Sequence, residues 1–235
     1  MRVGHFAFVP RPVPTIAALA FVALTVSLAR WQTHRAEEKE QRQALFEARM
    51  HEPAVRLTGA VPSSDALLFR RVEASGRWVA EGQIYVDNQI LDGRAGFEVV
   101  TPLKLQGTND AVLVNRGWVA RPADYPKAPA VAVPPGPVEV AGLATLPPAR
   151  VLELSSDTVT GPVWQNLSIA RYRERTGMSV LPVVVLADPP GPGLAAIAQS
   201  PDAGSARHRE YELTWYSLAI TAAVLWIALN LRREK

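Results

Sequence analysis

Two long runs without a charged residue, one near each end of the chain, constrain the fold more than any other feature. The first extends from Val13 to Ala29 and the second from Leu213 to Leu231. At 1.5 Å per residue, each helix would be about 25–29 Å long, which is sufficient to cross the hydrocarbon core of a bilayer. Trp31 and Trp215 stand at the ends of the runs, where aromatic rings favour the membrane interface. The pattern predicts two transmembrane helices, with the lipid bilayer as their surroundings.

The first run also has features of a cleavable signal peptide. Arg2 and Arg11 precede it, and Ser27-Leu28-Ala29 resembles a cleavage site. We favour a retained anchor, because residues 30–50 contain no Pro or Gly and are rich in helix-forming residues, so one helix would continue beyond the membrane. Basic residues at both termini favour cytoplasmic tails, and long intervening segments translocate largely regardless of their charge. Because few residues precede the first span, we expect a bacterial cytoplasmic membrane, not a mitochondrial one, with the domain in the periplasm.

The predicted organisation therefore has five parts. They are a cytoplasmic tail at 1–12, a transmembrane helix at 13–31, a periplasmic β-rich domain with an N-terminal helix at 32–207, a second transmembrane helix at 208–231 and a cytoplasmic tail at 232–235. Small residues spaced four apart, Ala23 with Ser27 and Ala219 with Ala223, could let the two helices approach each other.

Short apolar runs separated by Gly, Pro, Asp and Asn predict strands between the two spans. The candidates are Phe69–Ala74, Gly82–Ile90, Phe97–Leu105, Ala111–Val119, Val138–Leu146, Val163–Leu167 and Leu181–Leu186. Asp92-Gly93 is typical of a tight reversal, and residues 169–175 predict a short helix capped by Ser168 and ended by Gly177. The expected fold class is α+β: two transmembrane helices flank a mainly antiparallel, barrel-like domain.

The composition excludes several kinds of function. The chain has no Cys, so disulfides, thiolate metal sites and covalently attached haem are excluded. With only four His and three Met, we do not expect a multi-histidine or methionine-rich metal site in the domain. A net charge of +3 without a basic stripe gives no support to nucleic-acid binding. We find no glycine-rich phosphate loop and no nucleophile with a neighbouring base in the sequence. We therefore do not expect an enzyme.

Five strings of residues carry a more specific signal. In order they are Trp31-Gln32 with Arg35 and Lys39; Asp87-Asn88-Gln89-Ile90 with Asp92-Gly93-Arg94, Gly96-Phe97-Glu98-Val99 and Thr101-Pro102-Leu103; Leu113-Val114-Asn115-Arg116-Gly117-Trp118-Val119; Val163-Trp164-Gln165-Asn166-Leu167 with Leu181-Pro182; and His208 and Tyr211 with Thr214-Trp215-Tyr216-Ser217-Leu218-Ala219. With these strings the chain resembles the Surfeit locus protein 1 family over nearly its whole length. It departs from the family pattern at Ala29, where Gly is usual, and at Ala120, where Pro is usual.

The resemblance implies a role in the assembly of haem–copper (aa3-type) cytochrome oxidases. Its bacterial members look like proteins that bind haem a and assist its insertion, so the implied partners are the oxidase catalytic subunit and the haem a synthesis machinery. The family's binding residues are a His before the second span and a Trp seven positions later. They correspond to His208, as ligand to the iron, and Trp215 in this chain.

Helix geometry is compatible with this implication. Seven residues make nearly two turns, which puts His208 and Trp215 on one face about 10 Å apart, with Tyr211 one turn along. The same residues also fit an ordinary aromatic belt at the membrane interface. His34 is the candidate for a second iron ligand, and Trp31 is either an interface anchor or part of the cofactor wall. Other functions remain open: a scaffold without haem, a membrane-anchored sensor or binding domain, and, more remotely, an anchored hydrolase.

Overall fold

The computed structural model describes residues 2–3, 6–59, 63–147, 159–200 and 204–233. Small parts of the predicted tails and of the predicted periplasmic domain, at residues 1, 4–5, 60–62, 148–158, 201–203 and 234–235, lie outside this range. The chain forms two compact units, one from residues 1–44 and 200–235 and the other from residues 45–199.

The helices are α1 (Pro12–Met50), α2 (Ser64–Leu67), α3 (Ile169–Thr176) and α4 (Ser205–Asn230), with a short 3-10 helix at Ala80–Gly82. The strands are β1 (Arg2–Val3), β2 (Phe6–Phe8), β3 (Val55–Arg56), β4 (Arg71–Trp78), β5 (Ile84–Leu91), β6 (Arg94–Leu105), β7 (Ala111–Ala120), β8 (Pro137–Thr145), β9 (Val159–Thr160), β10 (Val163–Trp164), β11 (Val180–Ala187) and β12 (Leu231–Arg233).

Both apolar runs, except Leu231 in β12, lie in helices that are long and apolar enough to cross a membrane. Helix α1 has 39 residues and continues without a break beyond the apolar run, as expected from the absence of Pro and Gly in residues 30–50. At the other end of the helices, β12 pairs with β2 in antiparallel orientation, and the Val9 amide donates to the Asn230 carbonyl at 2.9 Å. The first unit is therefore a pair of apolar helices whose chain termini are paired by backbone hydrogen bonds.

The second unit is built on a mixed sheet with the strand order β3-β4-β8-β11-β7-β6-β5-β10-β9. Three pairs are parallel, namely β3 with β4, β7 with β11 and β5 with β10. Strand β4 also pairs with β6, but over only three residue pairs, from Gly76 to Trp78. The expectation of a mainly antiparallel, barrel-like domain is thus corrected: the sheet is mixed and not clearly a barrel. The direction of β11 was not predictable because a long connection, not a hairpin, separates it from β7.

All seven predicted strands are present, with ends that differ by a few residues, whereas the strands of two or three residues, β1, β2, β3, β9 and β12, were missed. Asp92 and Gly93 have positive φ of 48° and 74° and form the predicted reversal between β5 and β6. Ser168 caps α3 by accepting from the Arg171 amide at 3.3 Å, and Gly177 ends it in the left-handed conformation. These local predictions are confirmed.

Two clusters of buried side chains form most of the core of the second unit. One contains Val72, Leu103, Val112, Val114 and Val185 among others. The other is centred on Trp164 and Tyr172, whose rings are 5.9 Å apart. The Tyr172 hydroxyl donates to the Gly82 carbonyl at 2.7 Å, and burial raises its pKa to about 12. The amphipathic helix α3 thereby anchors the 3-10 helix to the sheet.

The Asn-Arg-Gly-Trp string lies in β7. Arg116 is only 2% exposed, and it donates to Gln83 Oε1 and to the Ala132 carbonyl, both at 3.0 Å. Its guanidinium lies 5.4 Å from the centre of the Trp78 ring, and burial lowers its pKa. Arg116 therefore ties the proline-rich segment around Ala132 to the sheet.

Candidate functional site

Helices α1 and α4 are antiparallel neighbours. At one end, the Trp226 indole donates to Thr15 Oγ1 at 3.1 Å, and the Arg11 amide donates to Asn230 Oδ1 at 3.1 Å. At the other end, Arg209 contacts Glu40. Since the residue numbers rise along one helix as they fall along the other, residues near 25–36 of α1 lie level with residues near 205–216 of α4. That level contains the residues singled out by the sequence.

Small residues lie where the helices meet. Thr25, Ala29 and Ala36 are fully buried on α1, and Ala219 is 6% exposed on α4. Ala219 was predicted to lie at the contact, but Ala23 and Ser27 are exposed, so that prediction was wrong for α1. Residues 23 and 25 differ by about 200° around a helix, so only one of these two positions can face the neighbour. Small side chains at the contact allow close approach of two backbones in a membrane.

His208 is half-buried in this contact. Its Nδ1 lies 2.6 Å from Oε1 of Gln32, which is 8% exposed. Because an amide oxygen only accepts, Nδ1 carries the proton and the Nε2 lone pair of the neutral imidazole is left available. A ring nitrogen oriented in this way by a hydrogen bond on its other nitrogen is a typical metal ligand.

Trp215 lies on the same stripe of α4 as His208. Partly or fully buried positions recur along this helix at 208, 212, 215, 219, 222, 226 and 230, which is the spacing of one helix face. The stripe therefore holds an imidazole near the start of α4 and an indole about two turns further along the helix. Tyr211 is 51% exposed and lies outside this stripe, on the flank of the helix.

Arg209, which follows His208 in the chain, is already paired. Arg209 makes two contacts to Glu40, Nε to Oε1 at 3.0 Å and Nη2 to Oε2 at 2.8 Å, and its Nη1 donates to Glu212 Oε2 at 3.0 Å. A bidentate pair of this kind fixes the register of two helices. Arg207 is exposed and forms no ion pair within the described part of the chain, so it, and not Arg209, is available to meet an added carboxylate.

The other two predicted site residues are not gathered with His208. His34 is 71% exposed, and its Nε2 lies 3.2 Å from Glu38 Oε1 on its own helix. Trp31 is 51% exposed. Both flank Gln32, but they point away from the stripe that meets α4. In this arrangement His34 and His208 do not converge, and among the described residues no group of three or more His, Cys, Asp or Glu could hold a metal ion.

Gln32 is the residue to which the sequence assigned no role. It belongs to the Trp31-Gln32 string, so its position was marked, but the partner of a glutamine cannot be read from one sequence. One feature of the sequence could have indicated its role. Gln32 is an uncharged polar residue three positions after Ala29, and it follows the first apolar run as His208 precedes the second. Its contact with His208 adds an orienting group to the candidate site.

Comparison with known proteins identifies the family of this chain. Residues 19–220 match the model of the SURF1 family. A SURF1-like protein of Monosiga brevicollis is 26% identical over 91% of this chain and 86% of its own length, and one of Rickettsia conorii is 25% identical over 91% of this chain and 90% of its own. Surfeit locus protein 1 of Takifugu rubripes is 24% identical over 92% of this chain and 97% of its own length. The chain belongs to the SURF1 family.

Proposed function

We propose that this protein is a membrane-anchored assembly factor for haem–copper (aa3-type) cytochrome oxidase, which binds haem a and assists its insertion into the oxidase catalytic subunit. It acts without catalysing a reaction. It is anchored in a bacterial cytoplasmic membrane by α1 and α4, with the second unit in the periplasm. The partners are the oxidase catalytic subunit and the machinery that makes haem a.

The observation that carries the proposal is the hydrogen bond between His208 and Gln32. It holds the imidazole in the tautomer whose Nε2 can bind iron, and an imidazole is an ordinary axial ligand of haem. Most buried polar contacts between helices serve packing alone, but this one also leaves a metal-binding nitrogen unengaged. Gln32 thus takes the part of the outer partner that commonly orients a metal-bound histidine.

The surroundings of His208 suit an amphiphilic macrocycle. Trp215 offers a flat apolar ring on the same stripe, and apolar residues of both helices extend from there into the membrane. Arg207, near the helix start, can pair with a propionate. The resemblance supplies the identity of the cofactor, and membership of the SURF1 family supports the assembly role. His34, Trp31 and Tyr211 are exposed, so their part in this site depends on a ligand that reaches around the helices.

The optical spectrum of the protein purified from cells that make haem a tests this function. We expect about one haem a per chain with a Soret band, and loss of most of that band in His208→Ala. His34→Ala is the matched control on the neighbouring helix: an unchanged spectrum would leave His208 as the only histidine ligand at the contact. Equal haem content in wild-type protein and His208→Ala would overturn the site.

A scaffold that holds the oxidase subunit without haem is the second candidate. Arg209 and Glu40 link the two helices through contacts within the protein, as a scaffold without haem requires. Co-purification of the oxidase catalytic subunit distinguishes the two functions. A scaffold would retain the subunit in His208→Ala and would show no Soret band even in the wild-type protein.

A further inference from the structure

The second unit contains a cavity of about 310 Å³ that the proposed haem site does not use. Four of its polar lining residues come from the strings by which the chain resembles its family: Gln89, Glu98, Asn115 and Asn166. The remaining walls are mostly apolar and are formed by Val86, Leu146, Pro147, Leu167, Val184 and Leu186, with Thr145. A concave apolar site with a few convergent polar groups is typical of small-molecule binding.

Strand register brings these residues together. Val86 pairs with Glu98, and Asn115 pairs both with Val100, two residues along β6 from Glu98, and with Leu186. Residues that are paired or two apart on a strand point to the same face of a sheet. The polar side chains therefore share one face of β5, β6 and β7, next to the buried cluster around Trp164.

Two irregularities in the sheet shape this face. β7 gains one residue against β6 between Asn115 and Trp118, and β5 gains one between Val86 and Gln89. An extra residue lets side chains three positions apart face the same side. The Trp118 ring consequently covers Gly96, and its indole donates to the Gln89 carbonyl at 2.9 Å. Both irregularities occur within the residue strings of the family resemblance. They turn Gln89 and Asn115 toward the cavity.

The cavity presents side-chain oxygens that no described residue engages as acceptors. Asn115 donates to Glu98 Oε2 at 2.7 Å and accepts from the Gly117 amide at 3.1 Å, so its side chain is satisfied. Gln89 donates to the Asp87 carbonyl at 3.1 Å, which leaves its own side-chain oxygen to accept. Asn166 makes no side-chain hydrogen bond with any residue that the structure describes. A ligand that fits these groups must bring donors.

Glu98 adds a charge without a counter-ion. Asn115 is the only hydrogen-bond partner of its side chain among the described residues, and none of the described Lys or Arg residues forms an ion pair with it. Burial raises its pKa, because the charged form is desolvated and a single amide compensates only in part. A bound cation would pair with the ionised carboxylate and so offset the cost of its desolvation.

We propose that this cavity binds a small organic cation, a primary ammonium group on a short apolar body, with Glu98 as its counter-ion. The ammonium has three donors, which match the free Glu98 oxygen and the carbonyl oxygens of Gln89 and Asn166. The apolar body lies against Val184, Leu186 and Leu167. This site is independent of haem, since it lies wholly within the second unit.

Titration of the full-length, haem-free protein in detergent tests the proposal. The probe is n-butylammonium, followed by chemical-shift changes of the amide and methyl groups around the cavity, with n-butanol and n-butyrate as neutral and anionic probes of the same size. We expect saturable shifts with butylammonium and at least about tenfold weaker binding of the other two. Equal affinity for all three, or no saturable shift with butylammonium, would overturn the proposal.

Glu98→Gln removes the charge and keeps the shape, and it should weaken butylammonium binding by about tenfold or more. Glu81→Gln, at an exposed glutamate outside the cavity, is the control and should bind as the wild type does. If Glu98→Gln does not fold, the wild-type protein provides the test. Nuclear Overhauser contacts between butylammonium and the Val184 and Leu186 methyl groups would show that the cation binds in this cavity. Their absence at saturation, or unchanged affinity in a folded Glu98→Gln protein, would contradict it.

Discussion

The imidazole Nδ1 of His208 lies 2.6 Å from Oε1 of Gln32, although the two residues are 176 positions apart in the chain. The contact joins the two apolar helices and fixes the tautomer of the ring. It therefore has two consequences that can be separated by experiment, one for packing of the helices and one for the basicity of Nε2.

We expect Gln32→Ala to weaken haem a binding by about 10–100-fold, because the ring loses the acceptor that orients it. Gln32→Glu keeps an acceptor of greater basicity and should retain haem while lowering its reduction potential. Haem titration and redox potentiometry of the purified protein measure both effects. Gln41→Ala, at an exposed glutamine of the same helix, should change neither. Unaltered affinity in Gln32→Ala would show that the hydrogen bond serves packing alone.

Ala29→Leu should separate the helices. Ala29 is fully buried at the contact, and larger side chains forced into a packed interface cost about 1–3 kcal/mol. Thermal unfolding of the helices in detergent, followed by circular dichroism, should show a lower midpoint. Ala20→Leu provides the control, because Ala20 is exposed on the same helix and its substitution should cost less than about 0.5 kcal/mol. Equal midpoints for the two variants would contradict the helix packing.

Gly96→Ala should strongly destabilise the second unit. A Cβ at Gly96 would lie 2.3 Å from Trp118 Cε2 and 2.3 Å from the Val119 carbonyl oxygen, and the backbone atom cannot move aside without breaking the β6–β7 pairing. We expect a loss of about 2–4 kcal/mol in denaturant unfolding. Gly136→Ala is a suitable comparison, since its Cβ meets nothing within 4 Å and only the strain of its positive φ of 90° remains. A loss at Gly96 no larger than that at Gly136 would contradict the close packing of Trp118.

The raised pKa of Glu98 makes the stability of the second unit depend on pH in a definite direction. The folded state holds the proton more tightly than the unfolded state, so the contribution to stability is present below the unfolded value near 4.5 and is lost as the pH rises through the folded value. Glu98→Gln should remove this loss. Urea unfolding between about pH 4 and 8 measures it: the wild type should lose stability relative to Glu98→Gln as pH rises across that window, and parallel curves would exclude the effect.

Much of the local structure was predictable, and the reason can be seen in α3. Ser168, Gly177 and the residues between them specify a helix through hydrogen bonds and dihedral preferences within a few positions. The reversal at Asp92-Gly93 is likewise specified by the dihedral preferences of neighbouring residues. By contrast, the mixed character of the sheet was not predictable, because the direction of β11 against β7 depends on a connection that passes through β8, β9, β10 and α3.

In the candidate haem site, too, one part was predictable from the sequence and another part was not. The spacing of His208 and Trp215 on one helix predicts their shared stripe, since a helix fixes the angle between positions seven apart. Which face of α1 meets that stripe was predicted wrongly, at Ala23 and Ser27, because alanine-rich runs offer several equivalent small faces. The buried set of Thr25, Ala29 and Gln32 emerges only when both helices pack together.

The amino-acid sequence by itself determined two apolar helices, seven strands, one capped helix and membership of a family, because each depends on periodicity, turn residues or ordered strings along the chain. Tertiary structure alone decided that Gln32 orients His208 and that residues from three separate strings line one cavity around Glu98. The physical reason is range: local preferences act over a few residues, whereas helix facing and strand register are set by the packing of segments distant in sequence.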